Sequence, residues 1–149
     1  MSDTHTVRFH RVLRAAPELV YRAFVTPEAL AKWLPPHGFT CKVDHVDAQV
    51  GGTFRMSFTQ FSNGYEHAFG GKYLELEPGQ RLRYSDVFDD PNLPGTMITT
   101  VDLAPLSCGT ALNIVQEGIP AAIPPEMCIL GWQESLELLK LLLEGGPRD

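Results

Sequence analysis

The spacing of hydrophobic positions changes along this chain, from strand-like alternation to one helical stripe near the end. Between positions 39 and 117, apolar and polar residues mostly alternate in short runs, which predicts β-strands. From 124 to about 145 the apolar residues recur at helical spacing, which predicts one long helix. The apolar face of that helix is predicted to carry Cys128, Ile129, Trp132, Leu136, Leu139, Leu142 and Leu143. The opposite face is predicted to carry Gln133, Glu137, Lys140 and Glu144.

Turn and cap signals divide the rest of the chain into shorter elements. A first strand is predicted over 4–14, followed by short helices over 16–25 and 26–34. Thr26 is the expected N-cap of the second helix, and Pro35-Pro36 ends it. Further strands are predicted over 39–50, 53–62, 65–77, 81–88, 96–103 and 110–117.

Two turns predict how the central strands pair. A two-residue loop at Asn63-Gly64 would pair Ser62 with Tyr65 and set the register of the strands on either side. The expected pairs are then Phe58/Phe69, Met56/Gly71 and Phe54/Tyr73. A two-residue loop at Pro78-Gly79 would add Phe69/Phe88, Gly71/Asp86 and Tyr73/Tyr84.

Both turns therefore predict one aromatic face on a curved antiparallel sheet. The opposite face should meet water with Arg55, Ser57, Thr59, Lys72, Arg83 and Ser85.

Four segments of the chain also resemble a known family. Residues 20–34, 50–56, 71–82 and 131–136 resemble the Hsp90-ATPase-activator-like (AHSA1-like) branch of the START-like (SRPBCC) superfamily, in the order of that family. The resemblance implies one domain over 1–149 with an α+β helix-grip fold. Such a fold has a curved sheet of six to seven antiparallel strands, two short helices and a long C-terminal helix packed on the sheet. It also implies a cavity between sheet and long helix for an apolar or amphipathic ligand.

Charge and composition argue against several classes of partner. The net charge is −6, and the 12 Lys and Arg residues are dispersed, which argues against nucleic acid and anionic membranes. The sequence has no 18-residue apolar stretch, so no membrane insertion is expected. The three cysteines are widely spaced and odd in number, which fits neither a disulfide framework nor a zinc site. A cytoplasmic protein without metal or cofactor is expected.

The expected ligand-binding residues come from the aromatic sheet face and the helices above it. Because no catalytic motif is present, no catalytic residue is assigned. Trp33 is expected to close the mouth of the cavity with Leu34 and Phe39, whereas Trp132 either fills the core or lines the cavity. The full predicted set is Trp33, Phe54, Met56, Phe58, His67, Phe69, Tyr73, Tyr84, Asp86, Phe88, Met97, Trp132 and Leu136.

Asp86 is the unusual member of this set, because a carboxylate stands where related sequences often carry a bulky apolar residue. A buried carboxylate must be paired, solvated or protonated. Asp86 is therefore either a polar anchor or base at the cavity wall, or an outward-facing residue if the register is wrong. His67 and Glu117 are the other titratable groups expected near the cavity. The loop 118–125 is either a lid or a stiff connector.

Three functions are compatible with these features. The leading hypothesis is binding of a small hydrophobic or amphipathic ligand in the cavity. The alternatives are a chaperone partner or stress-response module, and a cyclase-like or hydrolase-like enzyme that uses the same cavity. Against the chaperone role, the chain lacks the N-terminal half that eukaryotic co-chaperones use to engage the chaperone. A homodimer is also conceivable, since Leu130 and Leu141 lie off the apolar stripe and sheet edges favour pairing.

Overall fold

The computed structural model of the protein describes residues 4–144 and contains seven strands and three helices in that range. Each element has the type and order that the sequence predicts, and most boundaries agree within about three residues. The elements are β1 Thr4–Leu13, α1 Pro17–Val25, α2 Pro27–Trp33, β2 Phe39–Val46, β3 Thr53–Gln60, β4 Glu66–Glu77, β5 Arg81–Phe88, β6 Met97–Leu106, β7 Gly109–Pro120 and α3 Pro125–Glu144. The predicted end of the long helix at 145 lies outside the described residues.

The seven strands form one antiparallel sheet in the order β1-β7-β6-β5-β4-β3-β2. Strands β2 to β7 follow one another as a meander, and β1 pairs with β7 at one edge. Helix α3 contacts β1 and α2, while α1 contacts β6, β7 and α3. This arrangement is the helix-grip fold.

The two short helices begin where the prolines predict. Pro17 and Pro27 occupy first-turn positions, where the missing N–H costs nothing. The main chain of Thr26 accepts a hydrogen bond from the Leu30 N–H at 2.9 Å, as an N-cap residue should. Thr26 is therefore the N-cap residue of α2, as predicted, although its side chain makes no capping hydrogen bond.

The hairpin between β3 and β4 has a different loop from the predicted one. The Gln60 N–H donates to the Tyr65 carbonyl at 2.9 Å, so the loop has four residues, 61–64, rather than two. The observed pairs are therefore Phe58/His67, Met56/Phe69 and Phe54/Gly71. The predicted pairs are wrong by two positions. Because side chains alternate with a period of two, the same residues still face the core.

The pairing of β4 with β5 agrees with the prediction, but for a different reason. Phe69 pairs with Phe88 and Tyr73 pairs with Tyr84, as expected. The loop after Glu77, however, contains three residues, because Glu77 pairs with Arg81. A bulge between Tyr73 and Glu75 absorbs the extra residue. Two departures from the predicted geometry therefore cancel.

The outer face of the sheet is mostly exposed or half-buried, with one exception. Arg55 and Lys72 are exposed, as predicted. Ser57 is buried at 7% exposure, so its expected solvation is wrong. Its short side chain lies between Lys42 and Ala68 of the flanking strands, where little of it reaches water.

Helix α3 buries a narrower stripe than the helical wheel predicts. Trp132, Leu136 and Leu139 are buried as expected, but Ile129 is 38% exposed because it lies at the edge of the stripe. Ser135 is buried within the stripe, and its hydroxyl donates to the Leu34 carbonyl at 2.6 Å. Within residues 4–144, none of the helices combines the length and hydrophobicity needed to cross a lipid bilayer.

Candidate ligand-binding cavity

A cavity of about 290 Å³ lies between the inner face of the sheet and the first half of α3. Helix α1 contributes Phe24 to its wall, and α2 contributes Leu30. The wall is mostly apolar and aromatic, which is typical of small-molecule sites.

The strands present the cavity wall in successive cross-strand rows. The outermost row is Phe58 with His67, and the next is Met56, Phe69 and Phe88. The third row contains Phe54 with Gly71, and Asp86 with Met97. The innermost row is Tyr73, Tyr84 and Gln116, and Thr99 is paired between the last two without lining the cavity.

The rows differ in burial, and this locates the mouth. Phe58, His67 and Phe88 are half-buried, whereas Phe54, Tyr73 and Asp86 are buried. On the helix side, Met127 is an exposed member of the wall. The cavity therefore opens near Phe58 and Met127 and becomes more enclosed toward Tyr73 and Asp86.

Eleven of the thirteen residues predicted from the sequence line this cavity. They are Phe54, Met56, Phe58, His67, Phe69, Tyr73, Tyr84, Asp86, Phe88, Met97 and Trp132. Whether they contact a ligand remains a prediction. Trp33 and Leu136 are not part of the wall.

Trp33 has a structural role instead of the expected one at the mouth. Its indole is fully buried, and Nε1 donates to the Ala23 carbonyl at 2.8 Å. The ring packs edge-on against Phe24, with 4.8 Å between ring centroids. Trp33 therefore supports Phe24, which lines the cavity, without lining the cavity itself. Leu136 is also buried, but the wall of the cavity is formed by the neighbouring Ser135.

Several wall residues were not predicted. They come from α1 and α2, from the end of β7 and the following turn, and from the first turns of α3; they are Phe24, Leu30, Pro36, Gln116, Ile119, Ile123, Met127, Cys128, Gly131 and Ser135. Leu34, which is expected at the mouth with Trp33 and Phe39, also belongs to the wall, whereas Phe39 does not. The alternation of Leu112, Ile114 and Gln116 along β7 carried a usable signal, because it puts Gln116 on the inner face. Gly131 carried none, since its contribution is an absent side chain.

The segment 118–125 joins β7 to α3 and contributes to the cavity wall. Its first residues complete β7, and the Ile123 N–H donates to the Pro120 carbonyl at 3.0 Å. Ile119 and Ile123 both belong to the cavity wall. Gly118 has a φ of 76°, a conformation that favours glycine, and a Cβ there would lie 2.6 Å from the Thr96 carbonyl oxygen.

The polar groups at the closed end form a connected network. Gln116 Oε1 accepts from Trp132 Nε1 at 2.8 Å, and Gln116 Nε2 donates to the Thr99 hydroxyl at 3.2 Å. The Cys128 thiol also donates to Gln116 Oε1 at 3.5 Å. This network fixes the indole of Trp132 against the sheet. Burial raises the pKa of the Tyr84 phenol, so that group stays neutral at physiological pH.

Asp86 is the one acid buried in this wall among the described residues. It lies on β5 opposite Met97, is 8% exposed, and faces the cavity. Its Oδ1 has no hydrogen-bond partner among the described residues. Burial raises the pKa of the carboxyl to about 8, although a hydrogen bond with the Val87 backbone opposes the shift. Of the expected alternatives, the inward-facing placement is therefore the one observed.

The titratable groups considered for acid–base chemistry do not converge. Glu117 is exposed and lies outside the cavity wall. His67 is at the rim and packs against Tyr65 with the two rings tilted, at 4.6 Å between ring centroids. Asp86 is beside Gly71, four residues along β4 from His67, which is about 13 Å at strand spacing. Within residues 4–144, no cluster of three or more His, Cys, Asp or Glu residues could hold a metal ion.

Fold and cavity together define a helix-grip protein with an apolar chamber beneath its long helix. The chain belongs to the family described as Activator of Hsp90 ATPase homolog 1-like protein, whose model matches residues 14–144. This assignment confirms the resemblance seen in the sequence. None of the curated proteins compared with the chain matches it.

Solved structures of bacterial proteins are similar over nearly the whole chain. A protein from Chromobacterium violaceum is 65% identical, with a TM-score of 0.93, and the match covers 96% of this chain and 98% of that one. A Rhodobacter sphaeroides protein is 22% identical, with a TM-score of 0.84 and coverage of 96% and 99%. An AHSA1-like protein from Aeromonas hydrophila is 22% identical, with a TM-score of 0.76 and coverage of 95% and 93%. The last two show a common fold and nothing more.

Proposed function

We propose that the protein binds a small hydrophobic or amphipathic ligand in the cavity between the sheet and α3. The observation that carries this proposal is the cavity of about 290 Å³ with its mostly apolar, aromatic wall. Ligand sites in proteins typically combine such a wall with a few polar groups that orient the ligand. The AHSA1-like fold is compatible with this role.

The distribution of polarity supports an amphipathic occupant in particular. The middle of the wall is formed by Phe54, Met56 and Phe69, which offer only apolar surface. Polar groups include His67 at the rim and Asp86 further inside, whereas Gln116 and Trp132 are already hydrogen-bonded to each other. An apolar body would gain about 25 cal/mol for each Å² of apolar surface removed from water.

A variant that fills the cavity provides the test. A Cβ added at Gly131 would meet no atom within 4 Å, and Gly131 belongs to the cavity wall. Gly131→Leu should therefore occupy the cavity without a backbone clash, and Gly131→Ala is the matched control with a smaller side chain. We expect phenylbutanol to raise the Tm of the native protein, to raise that of Gly131→Ala less, and to leave that of Gly131→Leu unchanged.

Two outcomes would contradict the proposal. A Tm shift of equal size in the native protein and in a folded Gly131→Leu variant would place the binding outside the cavity. If neither phenylbutanol nor other hydrophobic probes shifted the Tm or appeared bound in native mass spectrometry, the cavity would not be a ligand site.

The proposed function is distinct from chaperone activation. The proposed site is internal, and the family description alone does not identify a surface for a chaperone. We therefore expect no stimulation when the purified protein is added to a bacterial Hsp90-type ATPase at equal concentration. A several-fold stimulation, abolished by heat denaturation of the protein, would favour the partner role instead.

A further inference from the structure

The cavity wall contains one strong hydrogen-bond acceptor that the protein itself leaves unused. Asp86 is more than nine-tenths buried, faces the cavity, and its Oδ1 has no partner among the described residues. A buried acceptor without a donor costs free energy, and an ionised one costs more. The neighbouring polar groups do not help, because Gln116 and Trp132 already bond to each other.

The charges around Asp86 are as informative as the missing donor. None of the described residues that line the cavity is Lys or Arg. The other titratable groups of the wall are His67 and Tyr73 from β4, Tyr84 from β5 and Cys128 from α3. Burial raises the pKa values of Tyr73, Tyr84 and Cys128, so these groups stay neutral at physiological pH. No wall residue near Asp86 therefore supplies a fixed positive charge.

We infer that the cavity selects amphipathic ligands that carry an ammonium group, placed against Asp86 with the apolar body among the aromatic side chains. This inference rests on the proposed function and specifies its ligand class. Hydrogen bonds between an ammonium and a carboxylate are charge-assisted and roughly twice as strong as neutral ones. When Asp86 is ionised, a ligand hydroxyl would satisfy the oxygen without compensating its charge, and a ligand carboxylate would be repelled.

The aromatic wall adds a second, weaker preference for cations. The side chains of Phe54, Phe69 and Tyr84 belong to the wall, and the faces of aromatic rings attract positive charge. A preference for amines could therefore come from the rings alone. Only the share of the preference that disappears with the Asp86 carboxylate supports the inference, so the experiment must remove that carboxylate without changing the shape of the site.

The ionisation of Asp86 adds a pH signature. In the unliganded protein its pKa is about 8, so the carboxyl is mostly protonated at neutral pH. An ammonium binds the ionised form, so binding releases a proton from Asp86. Affinity should then rise by up to about tenfold per pH unit below pH 8 and level off above it. His67 also lines the cavity. Measuring amine affinity against pH in Asp86→Asn therefore gives the pH dependence that comes from groups other than Asp86.

The test uses three probes with one apolar body: phenylbutylamine, phenylbutanol and phenylbutyrate. Calorimetric titrations at about pH 8.5 would compare the native protein with Asp86→Asn, which keeps the size of the side chain. In the native protein we expect the amine to bind at least about tenfold more tightly than the alcohol, with the carboxylate weakest. In Asp86→Asn the advantage of the amine should fall by about tenfold, while alcohol affinity changes by less than about threefold.

The outcomes separate this inference from the proposed function. Equal affinities of amine and alcohol in the native protein, or an unchanged amine preference in Asp86→Asn, would overturn the inference and leave cavity binding intact. Failure of all three probes to bind the native protein would overturn both. If Asp86→Asn did not fold, the native pH profile would decide alone, since a flat amine affinity between about pH 6 and pH 8 would overturn the inference.

Discussion

The two halves of helix α3 face different interiors beneath the same sheet. Toward its C-terminal end, Leu136 and Leu139 belong to a core whose other members include Val20, Val101 and Leu112, all nearly without exposure. Toward its N-terminal end, Gly131 faces open space next to Trp132. The same leucine-rich helix therefore packs on a solid core at one end and covers the cavity at the other.

The contrast has a structural cause in the elements and the residues nearby. Helix α1 contacts β6, β7 and α3, so its buried side chains fill the space at one end. At the other end, Gly71 and Gly131 contribute no side chains to the wall. Gly71 is required by the close approach of the neighbouring strand β5, since a Cβ would lie 1.8 Å from the Ser85 carbonyl oxygen. An apolar stripe thus identifies a buried face, but whether the space beneath is filled depends on small residues.

The largest expected effect is the loss of stability when leucine is replaced by alanine, once in the solid core and once in the cavity wall. Leu139→Ala removes a fully buried side chain from the solid core and should lower the free energy of unfolding by about 3–5 kcal/mol. Leu30→Ala, in the cavity wall, should cost only about 2–3 kcal/mol, because one side of Leu30 already faces empty space and loses fewer contacts. Urea denaturation of both variants measures the difference. Equal losses would show that the two interiors are packed alike.

The second effect concerns the pH dependence of stability. The pKa of Asp86 is raised from 3.8 to about 8 in the folded state. The folded protein therefore holds a proton that the unfolded chain releases. The stabilising contribution is complete below about pH 4, declines as the pH rises, and is lost above about pH 8. The slope is about 1.4 kcal/mol per pH unit within that window.

Asp86→Asn should remove this pH dependence. The variant and the native protein should have similar stability near pH 4. Relative to the native protein, the free energy of unfolding of the variant should increase steadily with pH, and the variant should be more stable by a few kcal/mol near pH 8. Denaturation midpoints at about pH 5, 7 and 8.5 measure the trend. A constant difference across that range would mean that the Asp86 carboxyl is solvated and ionised throughout. Leu139→Ala, which alters no titratable group, is the control for general loss of stability.

The sequence was sufficient for the order of elements, for the aromatic face and for about half of the residues that line the cavity. It predicted these because period-two alternation survives errors in loop length. The β3–β4 register moved by two positions, yet Phe54, Met56 and Phe58 kept their face. In β4–β5 the bulge beyond Tyr73 cancelled the longer loop, so Asp86 was placed inward for a partly incorrect reason.

The rest of the site could not be predicted, because it depends on how separate elements pack. Trp33 is a large aromatic residue of the kind that often lines a cavity. Its indole N–H instead donates a hydrogen bond to the Ala23 carbonyl, between helices α2 and α1. Ser135 is a polar residue within the apolar stripe, and no pattern along the chain shows that the Leu34 carbonyl accepts its hydroxyl hydrogen. Open space beside Gly131 is a property of three-dimensional packing, and no pattern along the chain encodes it.

A smaller effect is expected from Gly131→Ala. Glycine within a helix is destabilising by roughly 0.5–1 kcal/mol relative to alanine, and an added Cβ at Gly131 meets no atom within 4 Å. The substitution should therefore raise the free energy of unfolding by about that amount. Gly71→Ala is the matched counterpart, where the clash with backbone should be strongly destabilising. If Gly131→Ala were destabilising, the space beside it would be filled rather than open.

The smallest expected effect is a difference in the rates at which the three cysteine thiols are alkylated. Cys108 is exposed at a turn, whereas Cys41 and Cys128 are half-buried, and burial raises the pKa of both thiols to about 11. Because the thiolate is the reactive form, alkylation at about pH 8 should modify Cys108 first and the other two much more slowly. The variant Cys108→Ser should lack this fast phase and leave only the slow modification of Cys41 and Cys128.

Since Cys128 lines the cavity and Cys41 does not, saturating phenylbutanol should slow the modification of Cys128 only. Equal protection of both thiols, read by mass spectrometry of the alkylated peptides, would indicate a general tightening of the fold instead of occupancy of the chamber.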